Sequence, residues 1–425
     1  MKNHAAKLSL GTLTALAWRN LWRNRRRTLI TVSTIAIGFA LGVISIGLGD
    51  GGHNQMIRNG IRMGAGHLTI QPEGYLAEPS NGLFLPHGED IAAHPALAAA
   101  DARIAPRIFL QVLAATAHNS SGVGLQGIDP ARDPLAEDLR GSLVKGRWPK
   151  PSERNGVVVG KKLAKKLKLR VGSKLVLMAG GDDGAVTNRL ARVRGIFDSG
   201  LAQLDEFLVL SGLEFARQLL PGYRPGSDGR AVTRLAIFLR DPDRLPALMA
   251  ELKAQPPPPG AAVHDWWEMM PELVNFIILD DAGNYVFLSI LLVLVVFGIV
   301  NTILMAVLER TREFGLVRAL GLRPGHLVAL VLLETMLLAL VALAAGWALG
   351  GAAHAYLALV GLDLSSFSQE ALTTAGVMMD PVMKSELSLG RVLLLSGVAF
   401  GTTMASGCYP AIKAARVPPV AALRT

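Results

Sequence analysis

The sequence predicts a membrane protein of four transmembrane α-helices, with a large α+β domain inserted between helices 1 and 2. The first observation is composition, because 51% of the 425 residues are hydrophobic and only 18% are charged, which is unusual for a soluble chain of this length. The second is a set of four uncharged stretches, each long enough to cross the hydrocarbon core as a helix. The third is the long region of mixed composition between the first two stretches. The stretches are Thr28–Gly49, Ala282–Leu308, Thr335–Ala353 (extending back to Leu327 if Glu334 is included) and Val392–Ile412.

These stretches set the predicted domain boundaries. The segments, in order, are a cytoplasmic amphipathic N-terminus over 1–27, transmembrane helix 1 over 28–49, an external α+β domain with helical stalks over 50–281, transmembrane helix 2 over 282–308, a cytoplasmic charged helix over 309–326, transmembrane helix 3 over 327–353, a small external loop over 354–391, transmembrane helix 4 over 392–412 and a cytoplasmic tail over 413–425.

The distribution of basic residues predicts the topology. Seven lysines and arginines and no acid precede Thr28, and residues 309–326 hold four arginines against two glutamates. The tail after Ile412 has three basic residues and no acid, whereas residues 50–281 are almost neutral, with 27 basic and 26 acidic side chains. By the positive-inside rule, both termini and the 309–326 segment are expected in the cytoplasm. The net charge of +10 therefore needs no nucleic-acid partner.

The N-terminal segment LTALAWRNLWRNRRR is amphipathic. Trp18 and Trp22 lie one helical turn apart beside arginines, which is typical of a helix lying on a membrane surface. The apolar character of helix 1 fades through Ile57 and Ile61, so we expect the helix to continue outward as a stalk.

The region 50–281 is long enough for a hydrophobic core of its own. Short runs of β-branched and apolar residues alternate with helical patterns, which indicates an α+β fold. A first strand is expected near His67–Gln71, and further strands at Val112–Ala115, Val157–Val159, Lys174–Leu177, Ala191–Ile196, Phe207–Leu210 and Arg234–Leu239.

The segment Glu309–His326, ERTREFGLVRALGLRPGH, is a charged stretch between two long apolar ones. Read as a helix, it aligns charges at three- and four-residue spacing and gives an apolar stripe of Phe314, Val317 and Leu320. Pro324 and Gly325 then interrupt the helix. Such a helix either offers a grip to another protein or is a solvated connector whose charges only set topology, and composition alone favours the connector.

Small residues four apart recur in three of the predicted membrane helices, where they allow close helix packing. The glycine pairs are Gly38 and Gly42, Gly346 and Gly350, and Gly397 and Gly401.

Glu334 is the acidic residue within a predicted transmembrane stretch, where a charge costs ~2.5–3.5 kcal/mol at the centre, so it should face the bundle and be protonated or paired. The single cysteine, Cys408, is expected to be a small buried hydrophobe.

Two glycine motifs resemble nucleotide-binding signatures by spacing alone. Gly122, Gly124 and Gly127 match the dinucleotide pattern, but Asp129-Pro130 follows where a helix should begin, so a glycine-rich strand and turn is the better interpretation. GVVVGK, ending at Lys161, is one residue short of a phosphate-binding loop, so no ATPase motif is visible. No His, Cys, Asp and Glu cluster has metal-ligand spacing.

The sequence resembles the FtsX-like (MacB, LolC and LolE) permease family of ABC transporters over nearly its whole length. The most specific matches are ERTREFGLVRALG with the later Glu334, and the ending YPAIKAARVPPVAALR. The segments VVVGKKLAKKLKLRVGSKLVL and VRGIFDSGLAQLDEFLVL resemble the lipoprotein-releasing LolC/LolE branch, and AWRNLWRNRRRTLIT resembles the family's start. The order of one helix, a large periplasmic α+β domain and three helices is also that of the family.

The resemblance implies a permease subunit that couples ATP hydrolysis to motion of the periplasmic domain along helical stalks, releasing lipoproteins from the inner membrane. It implies a cytoplasmic ABC ATPase dimer that binds ATP and Mg²⁺, no cofactor on this chain, and a second permease subunit, identical or homologous. The alternatives left open are MacB-like efflux with a periplasmic adaptor, an FtsX-like regulator of a cell-wall hydrolase, and a membrane sensor or scaffold without an ATPase. A periplasmic carrier for the lipoprotein is a further open partner. Residues expected to couple to the ATPase are Glu309, Arg310, Arg312, Glu313, Phe314, Arg318 and Gly321, and those expected to receive acyl chains are Val43, Ile46, Phe276, Ile277, Tyr285 and Phe287.

Overall fold

The structure is a computed structural model. The residues it describes are 10–150, 153–181, 184–200, 202–226, 228–319, 323–364, 373–374, 377–380 and 382–416.

Thirteen α-helices occur in the described residues, and four of them are long and apolar enough to cross a membrane. These four are α2, α10, α12 and α13, and each extends beyond the stretch predicted from charge alone. The helices are α1 (Leu10–Arg23), α2 (Arg25–Gly60), α3 (Pro95–Ala99), α4 (Pro134–Arg140), α5 (Lys161–Lys166), α6 (Ala202–Phe207), α7 (Leu213–Arg217), α8 (Leu245–Ala254), α9 (Trp266–Met269), α10 (Pro271–Glu309), α11 (Thr311–Ala319), α12 (Pro324–Leu359) and α13 (Leu389–Ala415), with a π-helix at Ile61–Ala65 and 3-10 helices at Gly88–Ala93 and Pro242–Arg244.

Most strands lie in the inserted domain, as predicted. Five of the six later predicted strands fall within observed ones, whereas Phe207 ends a helix and the strand begins one residue later. The strands at Leu143–Gly146 and Ala261–Asp265 were not predicted, because neither has clear alternation. The strands are β1 (Leu68–Pro72), β2 (Ala102–Ala115), β3 (Ser120–Ile128), β4 (Leu143–Gly146), β5 (Gly156–Gly160), β6 (Lys174–Gly180), β7 (Val186–Phe197), β8 (Leu208–Gly212), β9 (Arg234–Leu239), β10 (Ala261–Asp265), β11 (Leu362–Asp363), β12 (Thr373–Thr374), β13 (Val377–Met378) and β14 (Val382–Met383).

The inserted domain is built on one ten-stranded sheet. Its order is β10-β1-β9-β2-β3-β8-β5-β7-β4, and β6 pairs with both β2 and β7. Strand β6 therefore closes β2, β3, β8, β5 and β7 into a ring, which removes free sheet edges there. The pairs β3–β8 and β5–β7 are parallel, and the other pairs of this sheet are antiparallel. The glycines of the nucleotide-like motif lie in β3, which agrees with the strand interpretation.

Two large hydrophobic clusters fill this domain. One lies inside the strand ring and includes Leu110, Leu125 and Val159, each fully buried. The other packs β1 and β9 against α3 and α8, with Ile70 and Ile237 fully buried. The alternation of buried and exposed residues along β6 places one side of that strand in the first cluster.

The chain divides into two compact units, one comprising the described parts of 1–53, 277–363 and 382–425, and the other those of 54–276 and 364–381. In the first unit, α2 packs closely against its neighbours through glycine. A Cβ at Gly346 of α12 would lie 2.9 Å from Phe39, and one at Gly350 would lie 3.0 Å from the Cα of Ala40. Gly38 faces Val295 of α10, and Gly42 faces Leu288 and Leu395.

The third glycine pair, Gly397 and Gly401 of α13, does not contact a neighbouring helix in the described part of this chain. A Cβ at Gly397 or Gly401 meets nothing within 4 Å, so the packing prediction for this pair stays a prediction. The prediction for Cys408 was wrong, because its side chain is exposed on α13. An apolar run cannot show which side of a membrane helix faces its neighbours, since the whole circumference is hydrophobic.

Candidate functional site

Helix α11 is a short amphipathic helix between two membrane helices. It follows α10 after a single non-helical residue, Arg310, and ends at Ala319. Pro324 occupies the first turn of α12, where its missing N–H has no partner to lose, and Arg323 before it is extended. The sequence-predicted Gly321 lies outside the described residues.

The two sides of α11 have different surroundings. Phe314 is 7% exposed and packs in a cluster with Val307 of α10 and Val331 of α12. Leu316 and Val317 are 53% and 38% exposed, and Arg312 is also exposed. The predicted single stripe of Phe314 and Val317 is therefore wrong in part, because the first residue anchors the helix and the second lies on its outer side.

Arg310 and Glu334 form the polar centre beneath α11. The Arg310 Nη1 lies 3.1 Å from Glu334 Oε1, and Asn20 of α1 donates from Nδ2 to the same carboxylate at 2.6 Å. Arg310 also donates from Nη2 to the carbonyl oxygen of Asn20 at 3.1 Å. The two charged side chains are 11% and 20% exposed. Pairing is the outcome expected for a carboxylate within a membrane helix.

Three other charged residues of the segment also contact this chain. Glu313 pairs with Arg23 of α1 at 3.1 Å, and Glu309 pairs with Arg27. Arg318 donates to the carbonyl oxygen of Ala415 at 3.2 Å. The sequence did not indicate the N-terminal helices as partners, although Arg23 of α1 and Arg27 of α2 have the same four-residue spacing as Glu309 and Glu313.

A second feature of this unit is an apolar groove of ≈ 200 Å³ between α2, α10 and α13. Of the residues predicted to receive acyl chains, Ile46 and Tyr285 line it. Val43 is fully buried and packs against Gly350 instead, and Phe287 is half exposed on α10. Phe276 and Ile277 are partly buried on α10 and are not among the groove-lining residues, which also include Gly38, Phe39, Gly42, Leu288, Leu292, Leu395, Val398 and Thr402.

Polar side chains lie at the Tyr285 end of this groove. Arg391 at the start of α13 donates from Nη1 to the Tyr285 hydroxyl at 2.6 Å. Its Nη2 lies 3.4 Å from a carboxylate oxygen of Asp50 and 3.7 Å from one of Asp281. Arg391 thus ties α2, α10 and α13 together at one end of an otherwise apolar groove.

Two family models match the chain. One, described as FtsX-like permease C-terminal, matches residues 285–419, and the other, described as MacB-like periplasmic core domain, matches residues 28–255. Among curated proteins, the lipoprotein-releasing system transmembrane protein LolC of Xylella fastidiosa is 23% identical over 426 residues, covering 96% of this chain and 98% of that protein. LolC of Neisseria meningitidis serogroup B is 24% identical over 337 residues, covering 75% of this chain and 77% of that protein.

Export proteins are also similar to the chain. The pyoverdine export ATP-binding/permease protein PvdT of Pseudomonas putida is 27% identical over 440 residues, covering 96% of this chain and 58% of that protein. Among solved structures, the periplasmic region of MacB from Actinobacillus actinomycetemcomitans matches 50% of this chain and 94% of its own, with 14% identity and a TM-score of 0.32.

Proposed function

Since this chain belongs to the FtsX-like permease family of ABC transporters and has a MacB-like periplasmic core domain, we propose that it releases lipoproteins from the bacterial inner membrane toward the outer membrane. It does so as one permease of a dimer, driven by a separate cytoplasmic ABC ATPase dimer that binds ATP and Mg²⁺. Both termini and α11 lie in the cytoplasm in this proposal, and the inserted domain lies in the periplasm.

The observation that carries the coupling role is the two-sided environment of α11. Phe314 fixes the helix on the membrane bundle, while Leu316 and Val317 remain exposed beside Arg312. An exposed apolar pair next to an arginine is the composition of a protein contact, since apolar anchors and arginine dominate binding energy at interfaces. Because most charges of the segment are paired within the chain, the ATPase contact rests mainly on Leu316, Val317 and Arg312.

The observation that supports an acylated cargo is the groove between α2, α10 and α13. Ile46 and Tyr285 line it, and its other lining residues are almost all apolar. Each buried CH₂ contributes about 0.8 kcal/mol to membrane anchoring, so removing several acyl chains from a bilayer requires an energy source such as ATP hydrolysis. A hydrophilic cargo needs polar partners along its length, whereas most of the residues that line this groove are apolar.

A second candidate function is export of an amphiphilic small molecule with a periplasmic adaptor. The similarity to PvdT along 96% of this chain favours it. An FtsX-like regulatory role has no comparable observation. The LolC relatives match this chain over most of their own length, and this makes lipoprotein release the first proposal.

Photo-crosslinking in the reconstituted complex of the permease with its ATPase distinguishes these functions. We expect photo-crosslinkers at Ile46 and Tyr285 to capture a triacylated lipoprotein before ATP is added and to lose it afterwards. A crosslinker at Leu340, which is 48% exposed on α12, is the matched control and should capture lipid only. Equal capture at all three positions, or release of an amphiphilic drug but of no lipoprotein, contradicts the proposal.

A further inference from the structure

Helix α1 has two chemically different faces. Leu13 and Ala17 are 6% and 0% exposed, and Asn20 on the same face reaches Glu334. On the other face, Trp18 is 47% exposed and Arg19 is exposed. Leu13, Ala17 and Asn20 are four and three residues apart, which holds them on one side of the helix. The helix is therefore packed on the bundle by one face and leaves an aromatic and basic face open.

The packed face belongs to the polar centre beneath α11. Asn20 bonds Glu334 through its side chain and Arg310 through its carbonyl oxygen. A cavity of ≈ 80 Å³ adjoins these three residues. Its other polar lining residues are Asn24, Arg27, Thr28, Thr31, Thr302 and Thr335.

Basic side chains that form no ion pair with described residues lie on this open face and at the start of α2. Between residues 19 and 27 there are five arginines, and two of them pair with Glu309 and Glu313. Arg19, Arg25 and Arg26 are exposed and form no ion pair with any described residue. On α1, Trp18 and Trp22 have ring centroids 5.9 Å apart in an edge-to-face arrangement.

The apolar residues that follow indicate what these arginines meet. Leu29 and Ile30, directly after the arginines, are 54% and 66% exposed. They begin a membrane-spanning helix, so they lie where lipid chains start. Tryptophan and arginine at such a boundary are typical of contact with lipid headgroups, and clustered basic residues select anionic ones.

We propose that Trp18, Arg19, Arg25 and Arg26 bind anionic phospholipid headgroups of the cytoplasmic leaflet, and that this binding sets the position of α11. The link is Asn20, which joins the lipid-facing helix to Arg310 and Glu334. Anionic lipid bound by the open face of α1 and the start of α2 thereby holds the packed face of α1 against the coupling helix. This regulation rests on the proposed function, because it requires α11 to be the ATPase contact.

The binding step is tested on the full-length permease without its ATPase. Purified from bilayers containing equal amounts of phosphatidylglycerol and phosphatidylcholine, the wild-type protein should retain phosphatidylglycerol preferentially when bound lipid is measured by mass spectrometry. The variant Arg19→Gln/Arg25→Gln/Arg26→Gln should lose this preference at least tenfold, since each arginine strengthens attachment to an anionic surface on the order of fivefold.

The matched control removes the same charge from the inserted domain, as Lys162→Gln/Lys165→Gln/Arg170→Gln, at three exposed positions. It should retain phosphatidylglycerol as the wild type does. Equal loss in both variants overturns the site, and so does unchanged retention in the first variant. Displacement of the lipid by soluble glycerophosphate shows a free-anion site and overturns the lipid proposal.

The transmission step uses the complex with the ATPase. Phosphatidylglycerol should raise ATP hydrolysis severalfold in the wild type and leave it unchanged in the arginine variant. Asn20→Leu should keep the lipid preference but lose the stimulation, and a variant that keeps both overturns the role of Asn20. Absence of lipoprotein release alongside normal lipid-dependent hydrolysis counts against the proposed cargo and not against this regulation.

Discussion

Arg107 and Asp133 form a buried bidentate ion pair in the inserted domain. The Nε–Oδ2 and Nη2–Oδ1 distances are both 2.7 Å, and the side chains are 1% and 0% exposed. Asp133 also caps α4 by accepting from the Leu135 amide at 2.9 Å. Arg107 donates its remaining Nη1 to the carbonyl oxygens of Met63 and Gly64, which belong to the π-helix that follows α2. One pair thus fixes both the start of α4 and the π-helix that follows α2.

We predict that Arg107→Met destabilises this domain by ~3–5 kcal/mol, because it leaves a buried carboxylate without its partner. Hydrogen–deuterium exchange on the full-length protein should speed up most at residues 61–65 and 134–140. Arg103 lies on the same strand as Arg107 and forms an exposed pair with Glu137 of α4. Arg103→Met should therefore change stability little, since exposed ion pairs contribute little. Similar exchange in the two variants contradicts the prediction.

A second prediction concerns Arg310 and Glu334. Glu334→Leu leaves a nearly buried guanidinium unpaired and should lower stability by ~3–5 kcal/mol, whereas Arg310→Met/Glu334→Leu together should lose much less. Thermal unfolding of the purified permease measures both. If the double variant is less stable than Glu334→Leu alone, the pair is not the unit that stabilises this site.

A third prediction separates the glycine pairs. Gly350→Leu should cost ~1–3 kcal/mol through overpacking, because a Cβ there already approaches the Ala40 backbone at 3.0 Å. Gly401→Leu meets open space in this chain and should leave the thermal stability of the isolated permease unchanged. A loss of stability in the second variant would show that α13 packs against another copy there.

A fourth prediction concerns the ATPase contact. Leu316→Asp should abolish co-purification of the ATPase, since a charge replaces an exposed apolar anchor. Glu313→Lys should weaken it less, because Glu313 is paired with Arg23 within the chain. A complex that survives Leu316→Asp with wild-type stimulation of ATP hydrolysis contradicts the assignment of α11.

The last prediction tests topology. In a Cys408→Ala background, needed because Cys408 is exposed, a cysteine at Ser173 should react with an impermeant thiol reagent on intact spheroplasts. A cysteine at Arg312 should react only after the membrane is opened. The opposite pattern would reverse the orientation inferred from the basic residues.

The sequence by itself determined the four membrane helices, the inserted domain and most strands, because these follow from local length, charge and periodicity. It also marked residues 309–326 as a charged helix between two membrane helices and predicted that Glu334 is paired or protonated. The strands β4 and β10 were missed, since neither has a clear alternation of apolar and polar residues.

Only the tertiary structure decided which side chains meet. It gave Glu334 the partners Arg310 and Asn20, turned Phe314 inward and left Cys408 exposed. It also joined β6 to both β2 and β7. Such choices depend on contacts between residues far apart in the chain, and an almost wholly apolar helix has no polar face to mark its orientation. Packing among neighbouring helices and the pairing of the few buried charges therefore selected the arrangement.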